Sequence, residues 1–186
     1  YEANIRYLHH LGEVTYFSPL ADTSLPDAGF VYLPGGYPEL YLAALSANRQ
    51  MLQSIRRYVE SGGKLLAECG GMMYLCDEIR DKNGDVYPMA GVLHQSATME
   101  NMKLRLGYRT LLYNETRLKG HEFHYSRLVE QQNPLPSCAV AYTAKGVETD
   151  TPLYHYKNVW AGYTHLYWAD PVGNEWFTKF VIDGNT

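Results

Sequence analysis

Residues 65–75 read LLAECGGMMYL, a cysteine set between the end of an apolar run and two glycines, with a helix-like stretch directly after it. If that run is a strand, Cys69 stands at its end and at the N-terminus of the following helix. First-turn N–H groups and the helix dipole favour a thiolate there. Gly70 and Gly71 permit a sharp reversal and let a substrate approach the backbone closely. The arrangement is that of a displayed nucleophile on a strand-to-helix elbow, with Ala67 where a G-x-S-x-G pattern has its first glycine. The plain alternative is a buried structural cysteine. Cys76 and Cys138 lie in apolar contexts without such glycines and read as packing.

A cysteine nucleophile needs a base, usually histidine, and the chain has seven histidines. His165, in WAGYTHLYWAD, falls just past an apolar run at a second strand end, on the same rim as Cys69. His9, His10, His94 and His155 sit in helix, turn or exposed strand contexts and read as surface residues. In GHEFHYS, strand alternation puts Glu122 and His124 on one face and His121 on the other. No shared metal is expected there, only packing or substrate contact. Acyl transfer also requires donors for a developing oxyanion. The loop YLPGGYPEL supplies a glycine pair beyond another strand end, so Gly36 and Gly70 are the candidate donors. A simple loop is the bland reading of that pair.

These groups must be positioned by the elements around them. NIRYLHHLGE has apolar residues at 5, 8 and 11 and ends at Gly12, a helix with a glycine cap. EVTYFSP and GFVYL read as short strands parted by a turn-rich stretch. NRQMLQSIRRYVESGG is an amphipathic helix with its apolar face at 51, 52, 55, 58 and 59. KLLAE, bounded by glycines, is a buried strand. This alternation predicts an α/β fold with a largely parallel sheet, in which reactive groups gather beyond the carboxyl ends of the strands. From residue 85 onward the pattern is strands joined by turns, with some helix around TMENM. DPVGNEWFTKFVID closes as a helix with Pro171 near its start.

Bulk properties narrow the class. The chain has 186 residues, 46% hydrophobic and 19% charged, enough for one sizeable core, and without repeats or linkers it reads as a single domain over 1–186. A formal net charge of −4 with scattered Lys and Arg gives no footprint for nucleic acid and no polybasic membrane segment. No apolar run approaches a membrane span and the N-terminus is no signal peptide. Three cysteines without metal-site spacing suggest a reducing, cytoplasmic setting. The 17 tyrosines suit half-buried strands or a face that receives a flat ligand.

Taken together, FSPLAD, LPDA, LPGGYPELY, LSANRQM, AECGGMMYL, LGYR, GHEFHYS and AGYTHLYWA, in this order over nearly the whole chain, resemble the triad (class I) glutamine amidotransferases. Within them the chain is most similar to the C-terminal glutaminase domains of the cobyrinic acid a,c-diamide synthases; Met73, four residues after the cysteine, and PGGYPE fit that branch. The resemblance implies a flavodoxin-like α/β glutaminase fold. Cys69 would attack the side-chain amide of glutamine, with His165 shuttling the proton and the ammonia serving to amidate corrin carboxylates. His124, Tyr125 and Ser126 align with the strand that holds glutamine, and Tyr37 and Glu39 follow the oxyanion loop as further contacts. It implies glutamine as substrate, a corrinoid acceptor reached through a separate synthetase domain, and no cofactor or metal in this domain. ATP and Mg²⁺ belong to that synthetase domain, whose G-x-x-x-x-G-K-[ST] loop this chain lacks.

Two departures matter. The His-x-Glu of triad enzymes is here His165-Leu166-Tyr167, so a dyad is expected, aided by Asp170 or a backbone carbonyl. YEAN resembles the tail of a family segment that begins with a strand, so the N-terminal strand reads as truncated. The oligomeric state stays open, a homodimer included. Two other readings share the elbow: a cysteine hydrolase or stress protein of the related peptidase-like superfamily, and a binding domain that keeps the fold without turnover.

Overall fold

The computed structural model describes residues 1–184. The chain begins in α1 (Glu2–Leu11), passes an irregular stretch and enters β1 (Phe30–Leu33). A 3₁₀ turn (Pro38–Leu40) and α2 (Leu42–Ala47) lead into α3 (Arg49–Glu60), which buries Met51, Leu52, Ile55 and Val59 on one stripe, as its periodicity requires. Asn48 caps α3 by accepting the Met51 N–H at 3.4 Å. Then come β2 (Lys64–Glu68), α4 (Gly70–Leu75), β3 (Cys76–Arg80), β4 (Val86–Pro88) and β5 (Leu93–Thr98). A long hairpin follows, β6 (Arg105–Tyr113) and β7 (Thr116–His124), with β8 (Arg127–Leu128), β9 (Val140–Thr143) and β10 (Glu148–Thr149). The chain closes with β11 (Leu153–Tyr156), β12 (Val159–Gly162), β13 (His165–Leu166) and α5 (Pro171–Trp176), which runs into a π-helical turn (Phe177–Ile182).

Sheet one has the order β1-β2-β12-β11, with β1, β2 and β12 parallel and β11 antiparallel at the edge. Its inner strands alternate between two cores. Val31, Leu33, Leu65, Ala67, Val159 and Ala161 face the core shared with α3 and α4, while Leu66 and Trp160 face the one shared with α1 and α5. Helices thus cover both faces, as an α/β fold requires. The other two sheets are mixed or antiparallel: β4-β3-β5-β8 and β10-β9-β6-β7-β13. The parallel part of sheet one is therefore three strands wide, a further parallel pair (β3 with β5) lies in a second sheet, and the second half of the chain is built on hairpins.

Three local expectations change. EVTYFSP forms no strand, and a cavity of about 840 Å³ is lined by both this segment (Val14, Tyr16) and β1 (Phe30, Tyr32). TMENM is a turn rather than a helix, with Asn101 at φ 53°. His155 is half-buried and stacks on Trp160 at 3.9 Å rather than lying on the surface. No helix among the described residues is long and apolar enough to cross a membrane.

Candidate active site

The carboxyl ends of β1 and β2 create the site. Cys69 follows β2 directly and begins α4 at φ 52° and ψ −110°, a left-handed conformation that L side chains rarely adopt and that stores about 1–3 kcal/mol. Three contacts hold it there. Its N–H donates to Gly162 O at 2.8 Å, its carbonyl accepts Met73 N–H at 3.0 Å, and its Sγ–H donates to Phe123 O at 3.6 Å. The next two residues must be glycine because the backbone of the β1 end lies against them. A Cβ on Gly70 would sit 2.7 Å from Gly36 O and 3.0 Å from Gly36 N, and one on Gly71 would overlap the Leu33 carbonyl. The two expected oxyanion glycines, Gly36 and Gly70, are thus in backbone contact.

His165 is brought to the same rim by β13, which pairs with β7 so that His165 lies opposite His121. The rings stack at 4.8 Å and 14°. The Cε1 edge of the His165 ring lies 2.2 Å from where a Gly35 Cβ would be, so only glycine at 35 leaves room for the imidazole. Among the described residues the ring accepts and donates no hydrogen bond. Asp170 does not orient it, because that carboxylate caps α5, accepting Gly173 N–H at 2.7 Å.

The electrostatics correct one expectation. Burial pushes the Cys69 thiol up to about 12; the Gly70 N–H works against this, and Glu39, Glu68 and Glu122 add to it. The six residues of α4 do not outweigh burial, so the resting group is a thiol rather than a thiolate. Burial, then the neighbouring His121, pushes His165 down to about 4, so its imidazole is neutral at ordinary pH.

The remaining sequence candidates divide. Tyr37 is 50% exposed at the mouth, and Tyr125 packs edge-on against Phe123. Among the described residues the buried Glu39 Oε2 has no partner, and burial raises its carboxyl. His124 and Ser126 are tied into the wall. His124 stacks on Tyr163 at 3.6 Å and bonds Ser126 O at 2.8 Å and Glu122 Oε1 at 3.0 Å, while Ser126 Oγ bonds Tyr163 OH at 2.8 Å. Their backbone runs on directly from Phe123, whose carbonyl meets the thiol. Behind this wall lies a cavity of about 860 Å³ that Arg105, Glu122, His124 and Tyr163 help to line.

The sequence reading gave Glu122 only packing or substrate contact and passed over Glu68. Glu122 is buried and accepts from Arg109, from Thr151 Oγ at 2.9 Å and from His124. Burial alone would raise its carboxyl, but these bonds and the Arg109 and Arg105 charges hold it low. Glu68, one residue before the nucleophile, is 1% exposed. A charge inside LLAEC was its only signal. Cys76 is buried and Cys138 half-buried, and all three cysteines are free. Among the described residues no cluster of His, Cys, Asp and Glu could hold a metal.

Comparison with known proteins adds the following. A family model described as the CobB/CobQ-like glutamine amidotransferase domain matches residues 1–172. The hydrogenobyrinate a,c-diamide synthase of Pseudomonas aeruginosa is 39% identical over 173 residues, 90% of this chain and 38% of that protein. The cobyrinate a,c-diamide synthase of Fusobacterium nucleatum is 39% identical over 176 residues, with the same coverage of 90% and 38%. The chain thus spans about two fifths of the length of these curated relatives. Among solved structures, PurLQS from Thermotoga maritima matches with a TM-score of 0.58 at 18% identity, over 88% of this chain and 80% of that one, a likeness of fold.

Proposed function

Because this chain belongs to the CobB/CobQ-like glutamine amidotransferase family, we propose that Cys69 and His165 hydrolyse glutamine at the rim described above. The observation that carries the reading is the strained Cys69 elbow packed against Gly36, with the Cε1 edge of His165 against Gly35. Cys69 Sγ attacks the side-chain amide carbon while its proton passes to His165, so charge separates only as the bond forms. The backbone N–H groups of Gly36 and Gly70 stabilise the oxyanion. His165 returns the proton to the leaving nitrogen, which departs as ammonia. Water, deprotonated by His165, then cleaves the glutamyl thioester and restores the thiol.

The unpartnered oxygen of Glu39 suits the α-ammonium of glutamine, with Tyr37 beside it and the backbone of His124, Tyr125 and Ser126 along the other side. Docking there neutralises one of the carboxylates that raise the thiol. Substrate arrival thereby helps to activate the nucleophile. In the larger reaction, the ammonia amidates corrin a and c carboxylates activated by an ATP- and Mg²⁺-using synthetase part. The whole operates as one glutaminase domain in the cytoplasm, where its free thiols stay reduced.

Treatment with diazo-oxo-norleucine followed by peptide mass spectrometry tests this. An adduct confined to Cys69, blocked by glutamine and slowed in His165→Ala, is expected. Equal labelling of the three cysteines in folded protein would overturn the assignment.

A further inference from the structure

Among the described residues the His165 imidazole has no hydrogen-bond partner, yet the segment that carries it is held from both sides by buried polar side chains. Glu68 Oε2 accepts the N–H of Leu166, the residue directly after His165, at 2.6 Å. Its other oxygen, Oε1, accepts Tyr32 OH at 2.5 Å, which fixes the carboxylate against β1. From the opposite direction Asn4 of α1, fully buried, donates Nδ2–H to Leu166 O at 2.7 Å. Asn4 Oδ1 accepts Trp168 N–H at 3.1 Å, and Tyr167 N–H donates to Lys119 O at 2.8 Å. Both peptide groups of Leu166 are therefore satisfied by side chains from elements remote in sequence.

We propose that Glu68 and Asn4 form a two-sided backbone clamp that positions His165 for proton transfer with Cys69, in place of an acid bonded to the imidazole. It rests on the reading of Cys69 and His165 as nucleophile and base. Both side chains, Glu68 and Asn4, reach one residue, the one directly after His165. They are placed where a displacement of one residue would lift the imidazole off Gly35 and away from the thiol. Glu68 also precedes Cys69, so one side chain sets the spacing between the strand that carries the nucleophile and the segment that carries the base. Both act through His165 and are positioning residues.

The clamp has a titration of its own. Burial raises the Glu68 carboxyl to about 7, against the Tyr32 and Leu166 bonds. The groups that face it are the Tyr32 and Tyr1 phenols, the amino group of Tyr1 and the Cys69 thiol. Thiol and imidazole titrate near 12 and 4. An inflection in between that disappears with the Glu68 carboxyl alone belongs to Glu68. Among arrangements that keep Glu68 buried, a charged carboxylate accepts the Leu166 N–H more strongly than a neutral one, by on the order of tenfold in the population of the clamped form.

The test measures iodoacetamide alkylation of Cys69 in the full chain from pH 5 to pH 9. This neutral probe reports base assistance without glutamine recognition. Beyond the tenfold rise per pH unit that a thiol titrating near 12 shows by itself, wild-type protein is expected to gain a further factor on the order of ten through an inflection near pH 7. Glu68→Gln, which keeps an acceptor for Leu166 N–H, should lose that inflection and remain folded, while Glu68→Ala and Asn4→Ala should alkylate on the order of tenfold more slowly at pH 8. The amino group of Tyr1 is present in every variant, so an inflection that survives in Glu68→Gln would overturn the clamp. Wild-type rates in Asn4→Ala would overturn it too. If Glu68→Ala fails to fold, Glu68→Gln and Asn4→Ala decide. Absence of a diazo-oxo-norleucine adduct in wild-type protein would instead count against the glutaminase reading, while the iodoacetamide profiles still judge the clamp.

Discussion

Replacing Glu68 by Gln should make the protein's stability less dependent on pH, and the size of the change follows from burial. The carboxyl, with an ordinary value of 4.5, is raised to about 7 chiefly because it is fully desolvated. At 1.36 kcal/mol per tenfold change in proton affinity, that gap corresponds to about 3 kcal/mol. Below pH 4.5 the carboxyl is protonated in both folded and unfolded chains and no charge is buried. Between 4.5 and 7 the unfolded chain releases its proton first, so stability falls as pH rises. Above pH 7 the folded state bears the full cost of a buried carboxylate. Glutamine keeps an oxygen for Leu166 N–H and offers its amide to Tyr32, without a charge to bury. Urea unfolding at pH 5, 6, 7 and 8 should show Glu68→Gln gaining on wild type by about 2.5 kcal/mol from the acid to the alkaline end. Titrations shared by the two proteins cancel in the difference. A difference that stays constant within about 0.5 kcal/mol, or grows toward acid, would refute the claim that this carboxyl is desolvated as described.

Other substitutions probe the site and its frame. Gly35→Ala should slow Cys69 labelling by on the order of 100-fold, because the new methyl displaces the His165 ring, while thermal denaturation shows a loss below about 1.5 kcal/mol. Gly71→Ala should cost more than about 3 kcal/mol or prevent folding, since the obstacle is the Leu33 backbone, whereas Gly12→Ala, with nothing near its Cβ position, should be neutral within about 0.5 kcal/mol. Arg109→Ala leaves the Glu122 carboxylate buried with one partner fewer and should destabilise by about 3–5 kcal/mol in urea titrations; adding Glu122→Gln should recover part of the loss. Glu39→Gln should weaken protection of Cys69 by glutamine with little effect on iodoacetamide alkylation, a contrast read from paired labelling rates.

The parts of this protein that the sequence determines alone are those governed by neighbours along the chain. The stripe on α3 follows from apolar spacing, and the burial of β2 from a five-residue run closed by glycines. The elbow at Cys69 follows from the glycine pair, which carries no side chains to obstruct a sharp reversal. The same logic reached His165 and Gly36 through their places just past strand ends.

Pairing across the fold decided the rest. EVTYFSP carries a strand's composition but finds no partner for its backbone, and composition does not supply one. Glu68 meets Leu166 across 98 residues and Asn4 meets it across 162, so neither contact has a local signature. Burial likewise depends on what closes over a group. A helix N-terminus suggested a thiolate, but desolvation by the assembled core and three surrounding carboxylates keep Cys69 protonated. Short-range sterics and periodicity are written residue by residue. Register, desolvation and long-range hydrogen bonds come into being only when distant segments pack, and they set the protonation of the thiol and the hold on the segment that carries His165.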